Sequence, residues 1–278
     1  MKQILLINDV VGYGKVGMGA MLPILSYLGV PTYCLPTALV SNTLNYGQFN
    51  IQDNTEYIRG TLPVWKQLGF RFDAVCTGLM FSDDEATLIS NYCAEVSQQG
   101  TTVFVDPILG DGGSLYNGIN DHQVQIMREM VSVAHLTFPN YTEACYLTGS
   151  TFHPEGISWE EAQNLIDQLR SIGSQSVLIT SCTIEGHNSV VGYCGGIANT
   201  TCQSTGRYFC IEYSEIPGIF HGTGDIFSAV LIGNILGGHQ LEESTRKAMD
   251  TVYHMIDRYR DTPDRNMGIP VERCLDLL

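Results

Sequence analysis

Residues 220–238 read FHGTGDIFSAVLIGNILGG, and how this stretch is taken decides the fold. The tetrapeptide Gly222-Thr223-Gly224-Asp225 leads into an apolar run. There Ile226, Phe227, Val230, Leu231, Ile235 and Leu236 recur at steps of one, three and four, a helical period. Gly237-Gly238 stop the run, as glycine does at a helix C-terminus. A glycine-rich turn therefore opens a buried helix whose first turn carries an aspartate. The glycines let the backbone approach a ligand closely. The unpaired N–H groups of the first turn, with the helix dipole, form an anion site. An acid held beside a bound anion suits phosphoryl transfer: amides face the charge on the transferring group, and a carboxylate takes a proton from the attacking hydroxyl. A tight turn whose acid merely offsets the dipole is the local alternative, and this stretch alone leaves both open.

Outward from this helix, apolar strands alternate with helices. Residues 3–7 form a buried strand ending at Asn8-Asp9, followed by Gly12-Tyr-Gly14-Lys15-Val-Gly17. That spacing is G-x-G-x-x-G, but the dinucleotide fold wants an acid at the end of the next strand, and none occurs between Asp9 and Asp53. A P-loop is excluded too, because Val16 follows Lys15. Helices are expected over 18–28, 54–68, 83–98, 121–133, from Asn140, over 158–172, from Asp225, and over 241–259, with Asn54 as a cap. Strands are expected over 30–35, 73–78, 101–105, 135–139 and 177–180, with antiparallel edge strands within 187–213. Residues 37–49 read as a polar flap. The alternation predicts an α/β fold with a mostly parallel central sheet and helices on both faces, as one domain over 1–278. Ligands then lie at the carboxyl ends of strands, where Asp9, Gly78, Asp106, Asn140 and Thr180 fall.

Composition narrows the partners. Acidic residues number 29 against 14 basic, a formal charge of −15, which argues against nucleic acid or an anionic membrane. Nine scattered cysteines without Cys-x-x-Cys read as reduced thiols of a cytoplasmic protein. The N-terminal apolar stretch reads as a strand, not a signal segment, and no run suggests a membrane span.

Three acidic signals share the predicted rim: Asp106, Asn140-x-x-Glu143 and Asp225. The second also has the form of a capping box. Together with GYGKVG, PTALVSNTLNYG, DAVCTGLM, FVDPILGDGG, PNYTEA, VLITS and FHGTGDIFSA, they resemble the ribokinase superfamily and its vitamin kinases over most of the chain. The flap and the Tyr13-Gly14 turn look most like pyridoxal kinases; TGLM and HGTG look closer to hydroxymethylpyrimidine kinases.

The resemblance implies a ribokinase-like three-layer sandwich that uses ATP and Mg²⁺, with a monovalent cation as an option. It implies Asp225 as the base, with Gly222, Thr223 and Gly224 as the anion hole. It implies Asn140, Glu143, Thr180 and Ser181 along the nucleotide phosphates, and Asp106 and Glu143 near the metal. Asp9, Tyr13, Gly14, Thr43, Gly78 and His221 would line the acceptor. Pyridoxal kinases usually carry Ser at the position of Asp9, Thr at that of Leu44, and Thr before Pro139, where this chain has Phe138. An ionised Asp9 could only accept a hydrogen bond, and so would favour a protonated ring nitrogen. The function implied is phosphorylation of the hydroxymethyl group of a B6 vitamer by a homodimer. The alternatives are a hydroxymethylpyrimidine kinase, a sugar kinase, or a non-catalytic ligand-binding protein on the same fold.

Overall fold

The computed structural model describes residues 2–116 and 119–278. In chain order the elements are β1 (Ile4–Tyr13), α1 (Met18–Tyr27), β2 (Thr32–Asn42), β3 (Ile51–Asp53), α2 (Thr55–Leu68), β4 (Ala74–Thr77) and α3 (Asp83–Gln98). Then follow β5 (Thr102–Val105), β6 (Gly110–Asp111), β7 (Ser114–Leu115), α4 (Asp121–Ser132), β8 (Leu136–Thr137), α5 (Tyr141–Thr148) and α6 (Trp159–Ile172). The chain ends with β9 (Ser176–Ile184), β10 (His187–Cys194), β11 (Arg207–Glu212), α7 (Thr223–Gly237) and α8 (Leu241–Tyr259). Two compact units divide it: Met1–Leu88 with Glu215–Leu278, and Ile89–Ser214.

In the first unit β1 lies between β2 and β4, parallel to both, and β3 runs antiparallel along β2. Ile4, Leu5, Leu6 and Ile7 are all fully buried, as expected of a strand covered on both faces. Each such side chain contributes roughly 1.5–3 kcal/mol relative to exposure, so β1 is a rigid floor. Where β1 turns polar, its register with β2 slips, between Asn8 and Val10. Such irregularities re-aim side chains beside sites, and Asp9 sits at this one. Helix α7 is buried on every side from Ile226 to Ile235 and packs against α1 and α8. Gly233 permits the approach to α1, since a Cβ there would meet Leu28 at 2.5 Å.

In the second unit β5, β8 and β9 are parallel, while β9, β10 and β11 are antiparallel neighbours. Helix α5 packs against α4, α6 and β9.

The α/β alternation, the mostly parallel strands and the antiparallel strands after residue 187 match the expectation. Several boundaries do not. β1 runs on to Tyr13, so Asp9 is inside the strand and Gly12 belongs to it. β2 continues to Asn42, so most of the first half of the expected flap is strand, followed by a 3-10 turn at Leu44–Tyr46. β9 continues through Thr180 to Ile184. α7 begins at Thr223 rather than Asp225. Asn54 occupies the cap position of α2 without a capping bond; Asp53 accepts from the Thr55 amide instead, at 2.6 Å.

Candidate active site

In the first unit the site is built where β1 meets the start of α7. Gly222 has φ 79°, and a Cβ on it would stand 2.2 Å from the Lys15 carbonyl oxygen, so only glycine fits. A helix's first turn leaves its N–H groups without intrahelical acceptors, and here that turn contains Thr223, Gly224 and Asp225. A Cβ at Gly224 would meet nothing within 4 Å, so the space in front of it is open. The amide of Gly17 donates to Asp225 Oδ2 at 2.8 Å, and Asn8 Nδ2 lies 3.5 Å from Oδ1. Burial raises the Asp225 pKa to about 6 against the opposing pull of these two donors. A carboxylate with that value and one lightly held oxygen is a competent proton acceptor near neutral pH.

Asn8 joins three parts of the site. Its Oδ1 accepts from the Asp9 amide at 3.0 Å and from the Leu79 amide at 2.9 Å, while its amide group faces Asp225. Gly78 must lack a side chain because a Cβ would lie 2.4 Å from Asn8 Oδ1. Asp9 is buried, and its Oδ1 would be 2.5 Å from a Cβ on Gly17, the residue whose amide holds Asp225. Burial first, and the Asp225 charge second, push the Asp9 pKa to about 7. The sequence suggests an ionised carboxylate here; burial and the Asp225 charge instead favour its protonated form up to near neutrality.

The other acceptor-side residues gather nearby in the same unit. The Thr43 amide donates to the Tyr13 carbonyl at 3.0 Å, and its hydroxyl occupies the space a Gly14 Cβ would need. Tyr13 is exposed and pairs with Tyr46, ring centroids 5.9 Å apart. Tyr46 donates to Asp264 Oδ2 at 2.5 Å. His221, its pKa lowered by burial, is hydrogen-bonded to Asn266. Lys15 is turned away, its ammonium paired with Glu272.

The second unit groups the expected phosphate and metal residues. Asn140 and Glu143 form a full capping box on α5: Asn140 Oδ1 accepts from the Glu143 amide at 2.9 Å, and Glu143 Oε2 from the Asn140 amide at 2.8 Å. Glu143 Oε1 also accepts from the Leu109 amide at 3.0 Å, and Asn140 Nδ2 donates to the Gly110 carbonyl. Burial, then the neighbouring Asp106, hold the Glu143 carboxyl well above its usual range. Thr180 bridges to Asn140, its amide donating to the Pro139 carbonyl at 2.9 Å. Ser181 follows with φ 56°, a left-handed conformation rare for serine and the kind of local strain found at ligand sites. Among the described residues, no group of three or more His, Cys, Asp or Glu gathers as a metal cage. The paired carboxyls Asp106 and Glu143 do suit Mg²⁺, which takes one or two carboxylates and keeps water and phosphate oxygens.

Asn8 and the Gly17 amide escaped the sequence reading. A polar residue directly after four buried apolar ones was the signal available for Asn8. The Gly17 amide, as backbone, carries no residue signal at all.

Comparison with known proteins bears on the family and the fold. The phosphomethylpyrimidine kinase family matches residues 14–269. A Bacteroides thetaiotaomicron protein provisionally assigned as a phosphomethylpyrimidine kinase, solved with pyridoxal, is 30% identical with TM-score 0.89, covering 99% of this chain and 95% of its own. A pyridoxal kinase of Leifsonia xyli is 26% identical, over 96% of this chain and 93% of its own. The pyridoxal kinase of Leishmania donovani, solved with ADP and pyridoxamine, shares the fold at TM-score 0.83 and 23% identity, covering 99% and 95%. Among the described residues no helix is long and apolar enough to cross a membrane.

Proposed function

From the premise that this chain belongs to the phosphomethylpyrimidine kinase family and is a pyridoxal kinase-like member of the ribokinase superfamily, we propose that it transfers the γ-phosphoryl group of ATP to the hydroxymethyl group of a B6 vitamer. Its fold is ribokinase-like α/β, and it is a phosphotransferase of the pyridoxal kinase type. The observation that carries the substrate and base assignment is Asp225: it sits in the first turn behind Gly222, anchored through Oδ2, with a pKa of about 6.

Asp225 Oδ1 takes the proton of the substrate hydroxymethyl group as its oxygen attacks. The amides of Gly222, Thr223 and Gly224 stabilise the charge on the transferring group. Asn140, Thr180 and Ser181 bind nucleotide phosphates. Asp106, with Glu143 beside it, would hold Mg²⁺, which supplies charge neutralisation on the phosphates. Asp9, Tyr13, Gly14, Thr43, Gly78 and His221 line the ring, with Tyr13 and Tyr46 offering aromatic faces. One kinase domain acting as a cytoplasmic homodimer completes the reading. The presence of pyridoxal in the 30%-identical relative favours a B6 vitamer. The family description favours the second reading, a hydroxymethylpyrimidine kinase.

A coupled assay with MgATP and pyridoxal, pyridoxamine, pyridoxine or hydroxymethylpyrimidine separates the two. Highest kcat/KM on a pyridine supports the proposal; highest on the pyrimidine replaces it with the second reading. No turnover on any of the four would point to a ligand-binding role.

A further inference from the structure

Gly17 stands between two carboxyl groups. Its amide donates to Asp225 at 2.8 Å, while its missing Cβ leaves the space against which Asp9 Oδ1 lies, at 2.5 Å from that Cβ position. Asn8 touches both sides, accepting from the Asp9 amide and facing Asp225 with its own amide group. Among the described residues, Lys15, Arg265 and His221 do not neutralise the pair. Lys15 in the preceding turn is paired with Glu272, and Arg265 in the C-terminal segment stacks on Phe220 at 4.6 Å and donates to the Arg260 carbonyl. His221, at the entrance to α7, has its pKa lowered by burial and engages Asn266. From the strand side, Asp53 on β3 adds only negative charge, beyond Ala38 of β2. Cys34 on β2 and Cys76 on β4 lie lower along the same sheet, at the level of Leu6. Two carboxylates sharing a buried site without a cation cannot both ionise at ordinary cost.

We propose, resting on the kinase reading above, that Asp9 and Asp225 act as a carboxyl pair across Gly17 that keeps one proton at neutral pH, with that proton on Asp9 and the basic oxygen on Asp225. The asymmetry follows from the donors. Asp225 receives the Gly17 amide, faces the Asn8 amide group and lies in the positive first turn of α7, all of which favour its ionised form. Asp9 is served by its own backbone amide and faces the Asp225 charge. Proton balance in a turnover is simple. The alcohol O–H breaks and its proton goes to Asp225 Oδ1; the oxygen bonds the γ-phosphorus of ATP as the bond from that phosphorus to the ADP oxygen breaks and ADP leaves. The pair then holds two protons and returns one to water before the next cycle. Asp9 keeps its own throughout, and so presents an O–H donor to its surroundings. Asp9 is thus a positioning residue that sets the charge state around the base. When it ionises at higher pH, a second negative charge stands beside the arriving phosphoryl group.

The test has two arms. In the ligand-free protein, carboxyl-carbon NMR should show Asp225 titrating near 6 and, above it, Asp9 near neutrality. The Asp9 signal should vanish in Asp9→Asn and move down by about half a unit or more in Asp225→Asn. An Asp9 already ionised at pH 5, or one unmoved in Asp225→Asn, overturns the pair. The Asp225→Asn spectrum decides this even if Asp9→Asn fails to fold. The second arm is the pH profile of kcat/KM with MgATP and pyridoxal. The wild type should fall on both sides of neutrality, and Asp9→Asn should lose the alkaline limb while keeping the acid one, whatever its absolute rate. An alkaline limb retained in Asp9→Asn also overturns the proposal. Absence of turnover with any vitamer and with hydroxymethylpyrimidine would sink the kinase reading alone, leaving the NMR arm to decide the pair.

Discussion

Glu143 and Asp225 are both carboxyl groups held by backbone amides at the start of a helix, each with a second acid beside it, yet they are held differently. Glu143 is spent: Oε2 closes the capping box of α5, and Oε1 holds the Leu109 amide. Asp225 is anchored at one oxygen, by Gly17, while the other meets only a long contact from Asn8. A carboxylate with every oxygen engaged builds the site; one with an oxygen to spare can accept a proton.

The sharpest break of that comparison is Asp225→Asn. Loss of the proton acceptor should lower kcat by about 10²–10⁴, with little change in Tm. In the wild type, the acid limb of kcat/KM should fall as pH drops through about 6, because the protonated carboxyl cannot act as base. A variant within a few-fold of wild type would show that Asp225 only caps α7.

The glycines of the same turn divide in the same way. Gly222→Ala drives a Cβ into the Lys15 carbonyl at a positive φ and should cost roughly 1–3 kcal/mol of stability. Gly224→Val finds open space, so the fold should survive while kcat/KM for ATP drops by about 10–10²-fold, since the branched side chain stands where phosphate approaches. Equal Tm losses in the two variants would remove the distinction.

Glu143→Gln probes the spent partner. Glutamine keeps one oxygen for the Asn140 amide but turns its NH₂ toward the Leu109 amide, so one buried donor loses its acceptor. The expected stability loss is about 1–3 kcal/mol, accompanied by a higher half-saturating Mg²⁺ concentration. Unchanged Tm with impaired Mg²⁺ dependence would mean that Glu143 serves the metal more than the fold.

Both carboxyls were legible in the sequence because each sits in a local pattern: Gly-Thr-Gly-Asp before an apolar helix, and Asn-x-x-Glu at a cap. What stayed hidden was non-local or short. Asn8 meets Asp225 across 217 residues, and Thr43 meets Tyr13 across 30, so no spacing reveals either pair. β1 outran its expected end because Val10, Val11 and Gly12 lead into a glycine motif that reads as loop. β3 has three residues, too few for a period to show. Asp53 displaced Asn54 as the acceptor at α2 because the Asn54 amide group donates instead to the Pro36 carbonyl.

Glu85 supplies the control, another buried acid with a spare oxygen, in the first turn of a helix that opens on Ser82-Asp83-Asp84 and not on a glycine turn. Its Oε2 accepts from the Phe81 amide at 2.8 Å, and its Oε1 has no hydrogen-bond partner. Burial first, then Asp53, raises its pKa from 4.5 to about 8. Between those two values the folded protein holds a proton that the unfolded chain has released. Stability from this group is therefore complete below 4.5 and is lost as pH rises toward 8. Glu85→Gln removes the ionisation while keeping an oxygen for the Phe81 amide. The variant should match wild type in unfolding free energy near pH 5 and exceed it near pH 9, by an amount on the order of 1–3 kcal/mol, with vitamer kinetics unchanged. If kcat falls as it does in Asp225→Asn, a spare carboxylate oxygen alone is enough for function here, and the role assigned to the glycine turn of α7 would be wrong.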